Sequence, residues 1–99
     1  MDQLQSIWAA ARENIRPQMT GLSFHAWIDV IVPLALQKNV LVLEVPTPDI
    51  QKTLDDFYFE NLRDAVKAAN ETIVDIKIVL PEDRDIYINP ISSEPINVF

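Results

Sequence analysis

Seven prolines and one glycine constrain the fold of this 99-residue chain more than any other feature of its sequence. A proline disfavours helical geometry in the residue before it and removes one backbone hydrogen-bond donor. Pro17 should therefore end a first helix, Pro33 should interrupt a second, and Pro81 should stop a last strand. Pro48 is different, because the first turn of a helix accepts proline. The fold must be assembled from the short segments between these positions.

Three segments have the apolar spacing of a helix. The first has a candidate cap at Asp2 and ends near Arg16, and the second begins at Ser23, a good capping residue. The third begins at the capping hydroxyl of Thr47 and extends to about residue 69, with a bend expected around residues 57–61. The apolar positions of the three stripes are Leu4, Ile7, Trp8, Ala11, Ile15; Phe24, Trp27, Ile28, Ile31; and Ile50, Leu54, Phe57, Tyr58, Leu62, Ala65, Val66, Ala69.

The remaining apolar segments have the pattern of strands. Residues 34–36 and 40–45 flank Gln37-Lys38-Asn39, which predicts a tight hairpin. Residues 72–80 alternate, which places Val74, Ile76, Ile78 and Leu80 on one face and Asp75 and Lys77 on the other. The order α-α-β-β-α-β predicts a two-layer α+β domain over residues 1–82, with a three-stranded sheet and helices packed on one face.

Residues 83–99 show no sustained period and contain two further prolines. We predict that they form a tail or the start of a flexible linker, and that deleting residues 84–99 costs little stability. Their end at Val98-Phe99 has the appearance of a cut inside a longer chain.

Composition excludes several classes of protein. Eight basic residues against fifteen acidic ones give a net charge of −7, which opposes the counterion displacement on which nucleic-acid binding depends. No cysteine is present to form a disulfide or a thiolate, and no apolar run approaches the roughly 18 residues of a membrane span. We therefore expect a soluble, cytoplasmic, acidic domain without membrane contact.

The chemistry-bearing residues do not assemble into a catalytic or metal centre. His25 is the only histidine, so a catalytic triad and a zinc site both lack members, and its spacing to Asp29 predicts a surface pair. Gly21 is the only glycine, which excludes the glycine-rich phosphate and dinucleotide loops. Asp55 and Asp56 are expected to be solvated. The sequence predicts a protein that is not an enzyme and needs no cofactor or metal.

The aromatic residues leave two interpretations open. Trp8 and Trp27 lie on apolar stripes, which favours the core, yet tryptophan is also enriched at binding hot spots. Phe57-Tyr58-Phe59 cannot all face inward at 100° per residue, so at least one of these rings should be partly exposed.

Five ordered motifs together resemble the amino-terminal domain (domain I) of the DnaA family of bacterial chromosomal replication initiators. They cover residues 4–81 and are Ile7-Trp8, Ser23-Phe24-x-x-Trp27-Ile28, residues 41–46, Tyr58 and residues 76–81. The resemblance implies a K-homology-like fold and a docking function: weak self-association, contact with the replicative helicase and binding of small initiation regulators. The ATPase and the duplex-DNA-binding domain of that family lie further along the full protein.

The resemblance also implies roles for individual residues. Trp8 matches a tryptophan associated with self-association. The positions matching the partner-binding patch are Ser23, Ala26, Trp27, Thr47, Asp49 and Ile50. Asp49 stands where the family often has phenylalanine and Thr47 where it often has asparagine, and some relatives have an acid at the Ser23 position. These differences leave the identity of the partner open.

Two other functions compete with docking. K-homology folds often bind single-stranded nucleic acid, but they do so through a Gly-x-x-Gly loop that this chain lacks. Residues 47–71 contain three basic and six acidic residues, a net charge of −3, so at most weak contact with single-stranded DNA is expected. The third candidate is a free-standing regulator that imitates the initiator domain.

Overall fold

The computed structural model describes residues 3–88. Its strands and α-helices are α1 (Gln3–Ile15), α2 (Gly21–Ser23), β1 (Val32–Gln37), β2 (Val40–Glu44), α3 (Pro48–Thr53), α4 (Phe59–Ala69), β3 (Asp75–Val79) and α5 (Arg84–Ile88). A π-helical turn, Phe24–Ile28, continues α2, and a second, Leu54–Tyr58, joins α3 to α4. We call α2 with its π-helical turn helix 2. The described residues contain no helix with the length and apolar character needed to cross a membrane.

The strands form one mixed sheet in the order β1-β2-β3. β1 is antiparallel to β2, and β2 is parallel to β3. The predicted α+β fold with helices packed on a three-stranded sheet is confirmed. α1 and α4 make the most extensive contact between helices, and both contact the sheet.

One face of the sheet and the inner faces of the helices share a single core. Leu41 and Leu43 of β2 lie beside Ile76 and Ile78 of β3. The members of this core cluster are Ile7, Trp8, Ala11, Ile15, Phe24, Ile28, Ile31, Leu41, Leu43, Val45, Leu54, Leu62, Ala65, Val66, Ile73, Ile76 and Ile78. Most of them are the positions that the apolar spacing predicts.

The hairpin between β1 and β2 has the predicted turn. Lys38 and Asn39 have φ angles of 50° and 68°, the pair of positive values typical of a two-residue type I′ turn. β1 begins earlier than the sequence predicts and includes Pro33. The strand tolerates this proline because β1 lies at the edge of the sheet and its pairing shifts between Pro33 and Ala35.

Two predicted helix ends are confirmed and one is wrong. α1 ends at Ile15, before a 3₁₀ turn that contains Pro17, and the Thr47 hydroxyl accepts a hydrogen bond from the Ile50 N–H as a cap. Ser23, however, does not cap helix 2. The Thr20 hydroxyl caps it instead, accepting from the Ser23 N–H at 3.1 Å. Asp2, the predicted cap of α1, lies outside the described residues.

Regular α-helical geometry in the third helical segment is interrupted near the residues where a bend is expected, and the interruption has a defined cause. Ile50, Leu54, Tyr58 and Leu62 occupy successive inward positions at a spacing of four residues. That spacing exceeds the 3.6 residues of an α-helical turn, and a π-helical turn absorbs the difference. Tyr58, at its end, has φ −123° and ψ 1°, outside helical geometry. Phe57 is consequently excluded from the apolar stripe.

The predicted face of the last strand needs one correction. Val74 is 59% exposed, whereas its neighbour Ile73 is fully buried. The regular pairing with β2 begins only at Asp75, so the alternation of β3 does not extend back to Val74. Within β3 the prediction holds for Ile76 and Ile78.

Residues 84–88 lie within the segment interpreted as a tail or the start of a flexible linker. They form a short helix, α5, which packs near β1. Arg84 Nη2 donates to both carboxylate oxygens of Glu44, each at 2.8 Å. Glu44 alternates with Leu43 and Val45 of the core, so α5 lies on the sheet face opposite α1 and α4. The predicted tail residues 89–99 lie outside the described residues.

Candidate functional site

Helix 2 presents three of the residues that the family resemblance assigns to partner binding. Ala26 is exposed, Trp27 is partly buried against the core cluster, and Ser23 is partly buried in the first turn. Phe24 and Ile28 are the buried residues of this segment. Because these two side chains hold helix 2 on the core, Ala26 is directed to solvent and Trp27 stays partly exposed.

Two arginines of the first helical segment hold helix 2 in place. The guanidinium carbon of Arg16 lies 4.5 Å from the centre of the Phe24 ring, and that of Arg12 lies 5.4 Å from it. Both distances are within the range of cation–π attraction. Arg12 also donates to Asp29 just beyond helix 2. These contacts are not predictable from local spacing, because neither arginine lies near Phe24 in the chain.

The predicted surface pair of His25 and Asp29 is confirmed. His25 Nδ1 lies 3.0 Å from Asp29 Oδ2, and most of the His25 side chain is exposed. The hydrogen bond from His25 lowers the pKa of Asp29, burial opposes this shift, and the charge and hydrogen bond of Arg12 lower the pKa further. Asp29 therefore connects helix 2 to α1 most strongly when it is ionised.

This network predicts a pH dependence of stability. Because the pKa of folded Asp29 lies below its ordinary value of 3.8, its stabilising contribution is present above that pH and is lost as the pH falls through the folded pKa. We expect the urea midpoint of the Asp29→Asn variant to fall less than that of the unaltered chain below about pH 4. An Asp64→Asn variant, which alters an exposed aspartate of α4, is the control. If the urea midpoints of the unaltered chain and of Asp29→Asn fall equally as the pH is lowered, the expectation is contradicted.

The start of α3 presents the other three predicted residues. Thr47 and Asp49 are exposed, and Ile50 is partly buried against the core cluster. The Thr47 hydroxyl is engaged as the cap of α3, and the Asp49 carboxylate lies in the first turn, where the helix dipole favours a negative charge. Both residues thus have a structural function in addition to any contact with a partner.

Two of the six predicted residues share the core. Trp27 and Ile50 pack against the same cluster, whereas Ala26, Thr47 and Asp49 are exposed. Trp8 differs from all of these, because it is 5% exposed and lies within the core cluster. For Trp8 the core interpretation is therefore correct, and the alternative of a half-exposed anchor is wrong.

The described residues contain no candidate metal centre. Residues 3–88 contain no group of three or more His, Asp or Glu side chains that could hold a metal ion. What helix 2 and the start of α3 offer is one aromatic edge and one aliphatic side chain with small and polar neighbours. Such a surface is suited to binding another protein.

Comparison with known proteins identifies the family. A family model described as the DnaA N-terminal domain matches residues 5–68. The chain is 28% identical over 81 residues to the chromosomal replication initiator protein DnaA of Citrifermentans bemidjiense, an alignment that covers 82% of this chain and 18% of that protein. Over 83 residues it is 31% identical to the protein of the same name from Thermoanaerobacter pseudethanolicus, covering 84% of this chain and 18% of the relative.

The chain thus spans less than a fifth of the length of the relatives it matches. The matching family model is that of the N-terminal domain, so the comparisons do not indicate an enzymatic activity. The ordered motifs, the α+β fold and the match over residues 5–68 agree with one another. This chain belongs to the DnaA N-terminal domain family of bacterial replication initiators.

Proposed function

We propose that this domain is a docking module in the initiation of bacterial DNA replication. In this proposal it binds the replicative helicase and initiation-regulator proteins, and it associates weakly with a second copy of itself. The contact surface is formed by helix 2 and the start of α3. Membership of the initiator family supports the process, and the exposed positions on the two segments support the surface.

The exposure of Ala26 beside the partly buried Trp27 is the observation that carries the proposal. A partly buried tryptophan loses little conformational freedom on binding, because its ring is already held by the core. A small neighbour lets a partner approach that ring closely. Ser23, Thr47 and Asp49 then supply polar groups at the rim, which is the usual arrangement of a binding hot spot.

Self-association belongs to the same proposal but requires a different role for Trp8. Its side chain is buried, so a second copy would contact the outer face of α1 that Trp8 supports. The neighbouring exposed positions on that helix include Ala9 and Ala10. Trp8 then acts by fixing the position of α1.

The Ala26→Glu substitution tests the helicase contact. We expect it to weaken binding of the replicative helicase from the same organism by more than about tenfold, or roughly 1.4 kcal/mol, because it places a charge against the tryptophan edge. The free energy of unfolding should change by no more than about 0.5 kcal/mol, since Ala26 is exposed. Isothermal titration calorimetry measures the first quantity and thermal unfolding the second.

A matched control is available on α4. Ala68 is also an exposed alanine in a helix, so Ala68→Glu adds the same charge at a distant position. The proposal requires Ala68→Glu to bind helicase as the unaltered chain does. If Ala26→Glu binds normally, or if both variants lose binding equally, the surface is not on helix 2.

A further inference from the structure

Phe57 is a large apolar side chain that the fold leaves in solvent. It is 73% exposed, although it lies between Leu54 and Leu62, both of which are fully buried. The π-helical turn, Leu54–Tyr58, explains this position, because the extra residue directs Tyr58 toward the core and Phe57 away from it. The exposure of Phe57 is thus a consequence of the way in which its neighbours pack on the core.

Phe57 borders a depression in the surface where the π-helical turn meets α4. The depression has a volume of about 380 Å³ and is lined by Asp55, Asp56, Phe57, Phe59, Glu60 and Asn61. Phe59, at the other side, is partly buried against the core, and the guanidinium carbon of Arg63 lies 5.7 Å from its ring centre. The site therefore combines one free aromatic ring with an adjoining concave surface.

The rim of this depression is negatively charged. Asp56 is paired with Lys52 at 3.0 Å, but neither Asp55 nor Glu60 forms an ion pair within residues 3–88. Partial burial raises the pKa of Asp55, and the adjacent charge of Asp56 raises it further. A cation placed here would relieve that repulsion, so the rim is complementary to a basic ligand.

We propose that Phe57 and the acidic rim formed by Asp55, Asp56 and Glu60 are a second docking surface, whose occupant is a basic amphipathic helix of a protein partner. Apolar side chains of that helix pack on the Phe57 ring, and its polar side chains lie over the depression, whose lining is mostly carboxylate and amide. Its flanking lysine or arginine side chains pair with Asp55 and Glu60. This surface is distinct from Ala26 and Trp27 on helix 2, so its test does not depend on that of the proposed function.

The experiment is a nuclear magnetic resonance titration of the ¹⁵N-labelled 99-residue chain. The probe is a synthetic amphipathic helical peptide built from Leu and Lys. A second peptide has Glu in place of Lys, and a third has the same Leu and Lys composition in an order without an amphipathic face. We expect the first peptide alone to shift amide signals, and we expect those shifts to be concentrated in residues 52–63.

Three variants separate aromatic packing from charge. Phe57→Ser should weaken binding of the first peptide by about tenfold or more. A chain with Asp55→Asn and Glu60→Gln should also bind more weakly, with less dependence on salt. Val74→Ser is the control, because Val74 is also an exposed apolar residue and is separated from Phe57 by the length of α4. It should bind as the unaltered chain does.

The proposal is overturned by any of four results: shifts spread over the whole acidic surface, equal binding of the peptide without an amphipathic face, equal binding of the Glu peptide, or unchanged binding by Phe57→Ser. If the signals of residues 55–61 instead move with protein concentration in the absence of peptide, the occupant is a second copy of this chain, which also contradicts the proposal. Thermal unfolding of each variant establishes that the fold is intact. If Phe57→Ser is unfolded, the carboxylate variant decides the question.

Discussion

The Trp8→Ala variant should lose about 3–5 kcal/mol of its free energy of unfolding, the usual cost of truncating a fully packed aromatic side chain. Trp8 is 5% exposed and lies in the core cluster on α1, the helix that makes the most extensive contact with α4. The cavity left by the indole cannot close without moving α1. Urea denaturation followed by circular dichroism measures the loss.

This expected loss affects how self-association should be tested. Small domains have total stabilities of roughly 5–15 kcal/mol, so this loss removes between about a fifth and all of the stability and can displace α1 in Trp8→Ala. Loss of association in that variant would then show only that α1 is no longer in place. The informative substitution is Ala10→Arg, at an exposed position on the same helix, which should leave the free energy of unfolding within about 0.5 kcal/mol of the unaltered chain.

Trp8→Phe is the control for cavity size, because it keeps an aromatic ring in the core and should lose much less stability than Trp8→Ala. Sedimentation equilibrium then compares the association constants of the variants with that of the unaltered chain, under conditions where the same fraction of each protein is folded. If the free energy of unfolding of Trp8→Ala lies within about 1 kcal/mol of that of the unaltered chain, Trp8 is not a packed core residue. A direct role in the interface then becomes the better account. If Ala10→Arg associates normally, the outer face of α1 is not the contact.

Local signals in the sequence predict most of the fold. The positive φ angles of Lys38 and Asn39 follow from the hairpin pattern, and the cap of α3 follows from the hydroxyl of Thr47 next to a proline. Each of these features depends on residues adjacent in the chain. The stripe of α1 is equally local, and its buried residues Ile7, Trp8, Ala11 and Ile15 are those that the helical period selects.

The features that the sequence does not predict arise from contacts between distant segments. The period of 3.6 residues places Phe57 on the buried stripe, but the core requires a spacing of four residues and the helix widens to supply it. The helix at residues 84–88 is too short to have a detectable period. It is held by Glu44, whose partner lies 40 residues away.

The candidate site also combines features that the sequence predicts with features that it does not. The exposure of Ala26 follows from its place beside the helical stripe, and the structure agrees with it. The contacts that hold helix 2, from Arg12 and Arg16 to Phe24 and from Arg12 to Asp29, link residues more than seven positions apart. A spacing pattern within one helix contains no information about such contacts.

The ion pair between Glu44 and Arg84 gives the second large prediction. Glu44 is 5% exposed, and both of its carboxylate oxygens accept from Arg84 Nη2. Removing one partner of a fully buried pair costs about 3–5 kcal/mol, because the other charge stays buried without compensation. The Arg84 side chain is 50% exposed, and the screening by solvent reduces this figure. We expect Arg84→Ala to lower the free energy of unfolding by about 1–3 kcal/mol.

A double-mutant cycle identifies the source of the loss. Glu44→Gln removes the charge that Arg84 compensates, so adding Arg84→Ala to it should cost less than Arg84→Ala alone. Asp85→Ala, at an exposed neighbouring position, is the control and should change stability by no more than about 0.5 kcal/mol. Urea denaturation at neutral pH measures all four variants.

The same pair decides the extent of the folded unit. Deleting residues 84–99 removes Arg84 and uncovers the sheet face that contains Glu44, so it should lower stability at least as much as Arg84→Ala does. Deleting residues 89–99 retains the ion pair and tests the remainder separately. If the longer deletion and Arg84→Ala both leave the urea midpoint unchanged, α5 contributes nothing to folding and the domain ends near residue 82. A loss confined to the longer deletion and to Arg84→Ala instead places α5 inside the folded domain, where Arg84 neutralises a carboxylate that the sheet would otherwise hold unpaired.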